Sequence, residues 1–173
     1  MADQFMQRAA ADHSHEHVPT SELEQWMEIA WRVASGGVAH GEYPFGAAIC
    51  RPTGQVVAAA SNTVASTKNA AAHAEVNAIK IAGQELESSD LSGHWLVSTA
   101  EPCPMCMAAA VTAGIDRVAF GVPQAIITQA GYGHLGVTGQ ELASDFAPDI
   151  AIRGEVLRER CASLLLDHPM SSH

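Results

Sequence analysis

The chain has 173 residues, of which 47% are hydrophobic and 16% charged, a balance typical of one globular domain with a substantial core. Nine Lys and Arg residues against nineteen Asp and Glu residues give a formal net charge of −10, which argues against a polynucleotide partner because gripping its backbone requires a basic surface. No apolar run approaches the ~20 residues of a membrane span, and no N-terminal stretch resembles a signal peptide, so we expect a cytoplasmic protein.

The first elements in chain order are a polar tail and a helix. Residues 1–20 have the composition of a flexible arm, and the histidines at 13, 15 and 17 are most simply part of it. Ser21 and Glu24 have the spacing of a capping box, which predicts the start of a helix. Apolar residues then recur with a 3.6-residue period until Gly36-Gly37, where we expect that helix to end.

The central part of the chain alternates between strand and helix patterns. Two short apolar runs flank the Pro52-Thr53-Gly54 turn and predict a hairpin of Phe45–Cys50 and Gln55–Ala60. Four further elements are predicted in order: a helix over His73–Glu87, a strand over His94–Thr99, a helix over Cys103–Ala113 and a strand over Arg117–Gly121. This order predicts an α/β sandwich with a mixed sheet, in which the loops at one end converge on one pocket.

The last third of the chain is less regular. Gln124–Gly139 is rich in glycine, includes Tyr132 and His134, and is expected to form a pocket-covering loop. A helical stretch over Gln140–Ser144, a strand over Ile150–Arg153 and a closing helix over residues 155–166 follow. We therefore expect residues 21–173 to form a single domain.

His73, Glu75, Cys103 and Cys106 carry the chemistry of this sequence. His73, Cys103 and Cys106 supply three zinc ligands, and three protein ligands leave one tetrahedral position free, which is typical of a catalytic rather than a structural zinc site. The two cysteines lie three residues apart, so both sulfurs face one side of a helix start. Glu75, two residues beyond His73, is close enough to move a proton at that site. This arrangement is the general signature of zinc deaminases.

A structural zinc knuckle or a redox Cys-x-x-Cys pair is the simplest alternative. A knuckle needs a fourth Cys or His nearby, and a redox pair leaves His73 and Glu75 unexplained. The remaining cysteines, Cys50 and Cys161, lie in strand and helix patterns and are expected to be reduced and buried.

Pro44 to Gly121 resembles the cytidine-deaminase-like superfamily, and within it most resembles the small guanine deaminases. The resemblance rests on Pro44-Phe45-Gly46-Ala47, Asn62, the run His73 to Ile79, Glu101 to Met107, and Arg117 to Gly121. It implies a three-layer α/β/α sandwich with a five-stranded sheet, one Zn²⁺ per chain and a homodimer. It also implies that Glu75 shuttles protons and that Asn62 holds the substrate base, although Asn62 is also a common turn residue.

Further substrate contacts are expected from Phe45 and from the backbone near Ala74. Guanine deaminases carry an additional acid beyond the matched segment, together with a C-terminal segment that reaches the pocket. Glu141 and Asp145 are candidates for that acid, and Phe146 could stack on a base, although exposed surface positions explain these residues as well.

The predicted activity is hydrolytic deamination of a small-molecule nucleobase, with guanine attacked at C2 as the favoured reaction. Cytosine, a nucleoside such as guanosine or cytidine, and a triazine remain alternatives. A tRNA adenosine deaminase ranks lower because of the acidic charge. A catalytically silent zinc-binding assembly protein is the alternative outside the enzymes, and the presence of Glu75 speaks against it.

Overall fold

The computed structural model describes residues 18–133 and 135–170, and within them it contains five strands and seven helices. The strands are β1 (Gly46–Cys50), β2 (Val56–Ser61), β3 (Trp95–Ala100), β4 (Arg117–Val122) and β5 (Ala151–Arg153). The helices are α1 (Thr20–Ala39), α2 (Val64–Thr67), α3 (Ala74–Glu85), α4 (Pro104–Thr112), α5 (Gln124–Gln129), α6 (Gly139–Phe146) and α7 (Arg158–Asp167).

The five strands form one mixed sheet in the order β2-β1-β3-β4-β5. Strand β1 pairs antiparallel with both β2 and β3, whereas β3, β4 and β5 run parallel to one another. The parallel half follows from the helical crossovers through α4 and α6, because parallel neighbours cannot be joined by a tight turn. The predicted mixed five-stranded sheet is confirmed.

Helices cover both faces of the sheet and give three layers. Alternate residues of β1 point to opposite faces: Ala48 and Cys50 join a core with α1, and Ala47 and Ile49 join a core with α3 and α4. Both faces of β1 and β3 are buried, so β1 is continuously apolar and β3 departs from an apolar run only at Ser98 and Thr99. A side chain at Gly46 would overlap the Ala30 carbonyl, so glycine there lets α1 lie directly on the sheet.

The start and end of the first helix differ from the prediction. Helix α1 begins at Thr20 after Pro19 and has no side-chain capping bond, so the predicted Ser21–Glu24 capping box is wrong. The helix also passes through Gly36-Gly37 to Ala39, because Gly37 packs against Ser61 of β2 and needs its small size there. Tertiary contact therefore overrides the local tendency of glycine to end a helix.

The C-terminal third also departs from its prediction. The expected loop after Gly121 contains helix α5, and the closing helix begins at Arg158 because Glu155 and Leu157 have positive φ angles of 65° and 50°. Residues 1–17, with the three histidines, and His134 lie outside the described residues. Within the described residues, no helix has the length and apolar character needed to cross a membrane.

Candidate active site

Two helix N-termini bring the three predicted metal ligands together. His73 is the N-cap of α3, Cys103 is the N-cap of α4, and Cys106 lies in the first turn of α4. His73 Nδ1 is 3.7 Å from Cys103 Sγ and 3.5 Å from Cys106 Sγ, and all three donor atoms lie within 4.8 Å of one another. Zn–S and Zn–N bonds of ~2.3 and ~2.0 Å at tetrahedral angles place nitrogen and sulfur about 3.5 Å apart, so the donor set fits zinc.

Hydrogen bonds within the cluster shift the pKa values of its three donor groups. Hydrogen bonding with Cys106 lowers the pKa of Cys103 to about 4, with burial opposing and His73 assisting. The same contact, together with burial, raises the pKa of Cys106. Hydrogen bonding to Cys103 raises the pKa of His73. The site therefore holds negative charge on sulfur, which is the charge that a dication neutralises.

Glu75 lies against this cluster at the second position of α3 and is only 6% exposed. Its Oε1 accepts a hydrogen bond from Ser98 Oγ at 3.0 Å, and its Oε2 lies 3.4 Å from Cys106 Sγ. Burial raises the pKa of Glu75. Ser98 belongs to the neighbouring strand β3, and its hydrogen bond to Oε1 leaves Oε2 facing the ligand cluster.

A cavity of about 210 Å³ opens onto His73, Cys103 and Glu75. Phe45 and Asn62, both predicted from the sequence, line it, whereas Ala74 is fully buried beside it at the start of α3. Asn62 is 3% exposed and its Oδ1 accepts from the Val64 amide at 2.9 Å. The Nδ2 of Asn62 is therefore the atom left to donate to a ligand in the cavity.

One wall of the cavity comes from Tyr132, in the segment expected to cover the pocket, and from Met170 near the C-terminal end of the described residues. The Tyr132 ring meets the Phe45 ring edge-on at 4.9 Å, and its hydroxyl donates to the His168 carbonyl at 2.7 Å. The Met170 amide donates to the Ala130 carbonyl at 2.9 Å, and Met170 lines the cavity. The chain thus covers its own cavity with the segment after α7, which we call the C-terminal cover (residues 168–170).

Part of the glycine-rich segment lines the cavity, whereas Glu141, the acidic residue after it, does not. Tyr132 and Gly133 line the cavity, so part of that segment does reach it. Glu141 instead caps α6, accepting from the Thr138 amide at 2.8 Å. Asp145 and Phe146 are exposed near the end of α6. None of these last three residues lines the cavity, and their contact with a substrate stays a prediction.

Glu101 is a cavity residue with an additional structural contact. It is 8% exposed and accepts from the Gln124 amide at 2.9 Å, which ties the end of β3 to the start of α5. The sequence indicates a position near the site for Glu101, because it comes directly before Pro102 and the predicted zinc ligand Cys103. For Met170, some 64 residues beyond Cys106, the sequence offers no local signal.

Residues 20–122, more than half of the chain, match the family described as the cytidine and deoxycytidylate deaminase zinc-binding region. The guanine deaminase of Bacillus subtilis is 34% identical over 110 residues, covering 63% of this chain and 70% of that protein. The tRNA-specific adenosine deaminase of Aquifex aeolicus is 39% identical over 97 residues, covering 56% of this chain and 64% of that protein.

The tRNA(Ile)-lysidine synthase of Deinococcus deserti is 32% identical over 151 residues. This longer match covers 86% of this chain but only 27% of that protein. Among solved structures, a variant of NE0047 in complex with 8-azaguanine has a TM-score of 0.79 and 26% identity, with 84% of each chain covered. The chain belongs to the cytidine and deoxycytidylate deaminase zinc-binding family, and His73, Cys103 and Cys106 form a candidate zinc site.

Proposed function

We propose that this deaminase acts on a free aminated heterocycle, with hydrolysis of guanine to xanthine and ammonia as the favoured reaction. The observation that carries the proposal is the size and closure of the cavity beside the zinc ligands. Its volume of about 210 Å³ is smaller than the ~300–1,000 Å³ typical of pockets for drug-sized ligands. That volume suits one heterocyclic base, with Met170 of the C-terminal cover forming part of the cavity wall.

Glu75 has the position required to move protons in such a reaction. Zinc bound by the three ligands would supply a water molecule polarised for attack on the ring carbon that bears the amino group. Glu75 accepts the proton that the attacking water loses and delivers it to the adjacent ring nitrogen. A second proton, carried from the added hydroxyl to the amine, lets ammonia leave as the carbonyl forms. Ser98 holds the Glu75 carboxyl group in place through these transfers.

The remaining cavity residues are suited to hold a flat, polar ring. Asn62 Nδ2 offers a hydrogen-bond donor to an acceptor on the base edge, and the backbone amide of Ala74, at the first position of α3, has no acceptor within that helix. The rings of Phe45 and Tyr132 provide an apolar wall. We keep Phe45, Asn62 and Ala74 as proposed substrate contacts. The homodimer and the cytoplasmic location also stay predictions.

The test is ammonia release from guanine, guanosine, cytosine, cytidine, adenine and the triazine ammeline, with Glu75→Gln as the control for contaminating activity. We expect turnover of guanine and a clear preference for the base over its nucleoside. Faster turnover of guanosine or cytidine would contradict the free-base assignment. A zinc-loaded wild-type protein inactive on every compound, and on tRNA, would favour the alternative of a silent zinc-binding protein.

Deamination of adenosine in tRNA is the second candidate, because a tRNA-specific relative is 39% identical over its matched segment. Charge opposes it. Among the described residues, no Lys or Arg lines the cavity or the adjoining hollow beside Pro104, Met105 and Leu135. Polynucleotide binding depends on such cations. Conversion of adenosine to inosine in a tRNA transcript, with strongly salt-dependent binding, would reverse this ranking.

A further inference from the structure

The short turn that carries Asn62 into the cavity is capped from outside the cavity. Asn62 follows β2 directly, and after it comes the four-residue helix α2, Val64–Thr67. A single helical turn is far too short to persist alone, because nucleation fixes several residues for few hydrogen bonds. The geometry of Asn62 therefore depends on whatever satisfies the exposed amides of α2.

All four amide groups of α2 have acceptors, and the acceptors come from three residues. The Val64 amide donates to Asn62 Oδ1 at 2.9 Å, and the Thr67 amide donates to the Thr63 carbonyl at 3.1 Å. The Glu42 carboxylate accepts from the two amides between them: the Ala65 amide donates to Oε2 at 3.0 Å and the Ser66 amide donates to Oε1 at 3.0 Å. Glu42 and Asn62 thus divide one helix cap between them.

Glu42 is itself held where it can do this. Its backbone amide donates to the Gly37 carbonyl at 3.0 Å near the end of α1, and its side chain lies in an outer hollow that does not contact the zinc ligands. Burial opposes ionisation of Glu42, but hydrogen bonds from Ser66 and Ala65 outweigh it, so the pKa lies below its ordinary value. The carboxylate is therefore anchored to the α1 layer and bound to α2 at once.

We propose that Glu42 is a positioning residue that keeps Asn62 turned toward the substrate, an inference that rests on the proposed function. Asn62 precedes the N-cap residue Thr63, and its side-chain oxygen accepts from the Val64 amide two residues on, a contact that Asn side chains readily make at turns. Without Glu42, the amides of Ala65 and Ser66 would need an acceptor, and Asn62 Oδ1 already serves that helix end. Rotation of Asn62 toward them would withdraw Nδ2 from the cavity.

This division of the cap has a consequence for substrate choice. Because the Val64 amide fixes which atom of the Asn62 amide group accepts, Nδ2 is the atom directed into the cavity. The cavity then selects a base that presents a hydrogen-bond acceptor on the edge facing Asn62. Such a base loses affinity when the donor is withdrawn, because the acceptor is left unpaired in a desolvated site.

The experiment compares Glu42→Ala, Glu42→Gln, Asn62→Ala and the double variant Glu42→Ala/Asn62→Ala. For Glu42→Ala we expect a KM for guanine about tenfold higher, or about 1.4 kcal/mol, with kcat within about twofold and zinc content unchanged. Glu42→Gln, which keeps one acceptor oxygen, should fall between Glu42→Ala and wild type. The double variant should match Asn62→Ala alone, because residues acting through one another are not additive. Glu24→Gln, an exposed acid on α1, is the charge-matched control.

A second measurement keeps this inference separate from the proposed function. Hydrogen exchange at the amides of Ala65 and Ser66 should be faster in Glu42→Ala than in wild type, whichever base is the substrate. Wild-type protein inactive on guanine would refute the guanine assignment alone. An unchanged exchange rate, an unchanged KM, or an additive double variant would each overturn the role of Glu42.

Discussion

The C-terminal cover offers the sharpest perturbation of the cavity, because it can be removed without touching the zinc ligands. Truncation after Asp167 deletes the carbonyl of His168, which holds the Tyr132 hydroxyl, and the amide of Met170, which holds Ala130. It also deletes the Met170 side chain from the cavity wall. The ligands lie on α3 and α4, so zinc content should stay at its wild-type value.

The size of the effect follows from the interactions that truncation removes. Two hydrogen bonds contribute a net ~1 kcal/mol each, and the Met170 side chain, 36% exposed, adds about 1 kcal/mol of apolar burial. The closed arrangement is thus stabilised by about 3 kcal/mol at most, a factor of about 10². Tyr132→Phe removes one hydrogen bond and keeps the ring contact with Phe45, so we expect it to lower kcat/KM about fivefold.

The assay is kcat/KM for guanine and for guanosine, measured on wild type, Tyr132→Phe and the truncated chain. Truncation should lower kcat/KM for guanine about 10- to 100-fold. The ratio of guanosine to guanine should rise, because an open cavity admits the sugar. Ser163→Ala, which removes a surface hydroxyl bonded to Asp167, is the matched control for Tyr132→Phe. A zinc-loaded, truncated enzyme with the wild-type ratio would refute the assignment of the cover to specificity.

Three further predictions concern the centre itself. Glu75→Gln should retain zinc and lose at least ~10²-fold in turnover, whereas Glu85→Gln, exposed on the same helix, should not; near-normal turnover of the first would mean that another group carries the protons. Cys106→Ala should lose zinc by elemental analysis and Cys161→Ala should keep it; full zinc occupancy in the former would contradict the ligand set. After chelation, iodoacetamide should label Cys103 first, since burial raises the pKa of Cys50 and holds that of Cys161 at about 12; rapid labelling of Cys161 in the folded protein would count against its burial.

The zinc ligands could be predicted because their geometry is almost entirely local. Cys103 and Cys106 are one helical turn apart, and His73 and Glu75 are two residues apart at the start of another helix. The alternation of strand and helix patterns then determined which loops meet at one end of the sheet. Only the meeting of α3 with α4 is a long-range contact, and the order of the elements predicts it.

The cavity wall could not be predicted in the same way, because it depends on contacts between distant segments. Tyr132 meets Phe45 across 87 positions of the chain, and its hydroxyl reaches His168 across 36. The capping-box pattern shows the same limit. It occurs at Ser21–Glu24 and at Thr138–Glu141, but only the second forms, because the first helix starts two residues earlier than a Ser21 cap requires, directly after Pro19.

The division between predictable and unpredictable residues coincides with a division of function. The family match ends at residue 122, and it contains every zinc ligand and Glu75. Much of the wall that faces them lies beyond that point, in Gln124, Ile127, Tyr132, Gly133 and Met170. Relatives that share the matched segment are named for guanine in one case and for tRNA in another. Identity within that segment therefore carries the chemistry of deamination but not the choice of amine. Residues on both sides of position 122 line the cavity, and among the described residues none of those lining side chains is a Lys or an Arg.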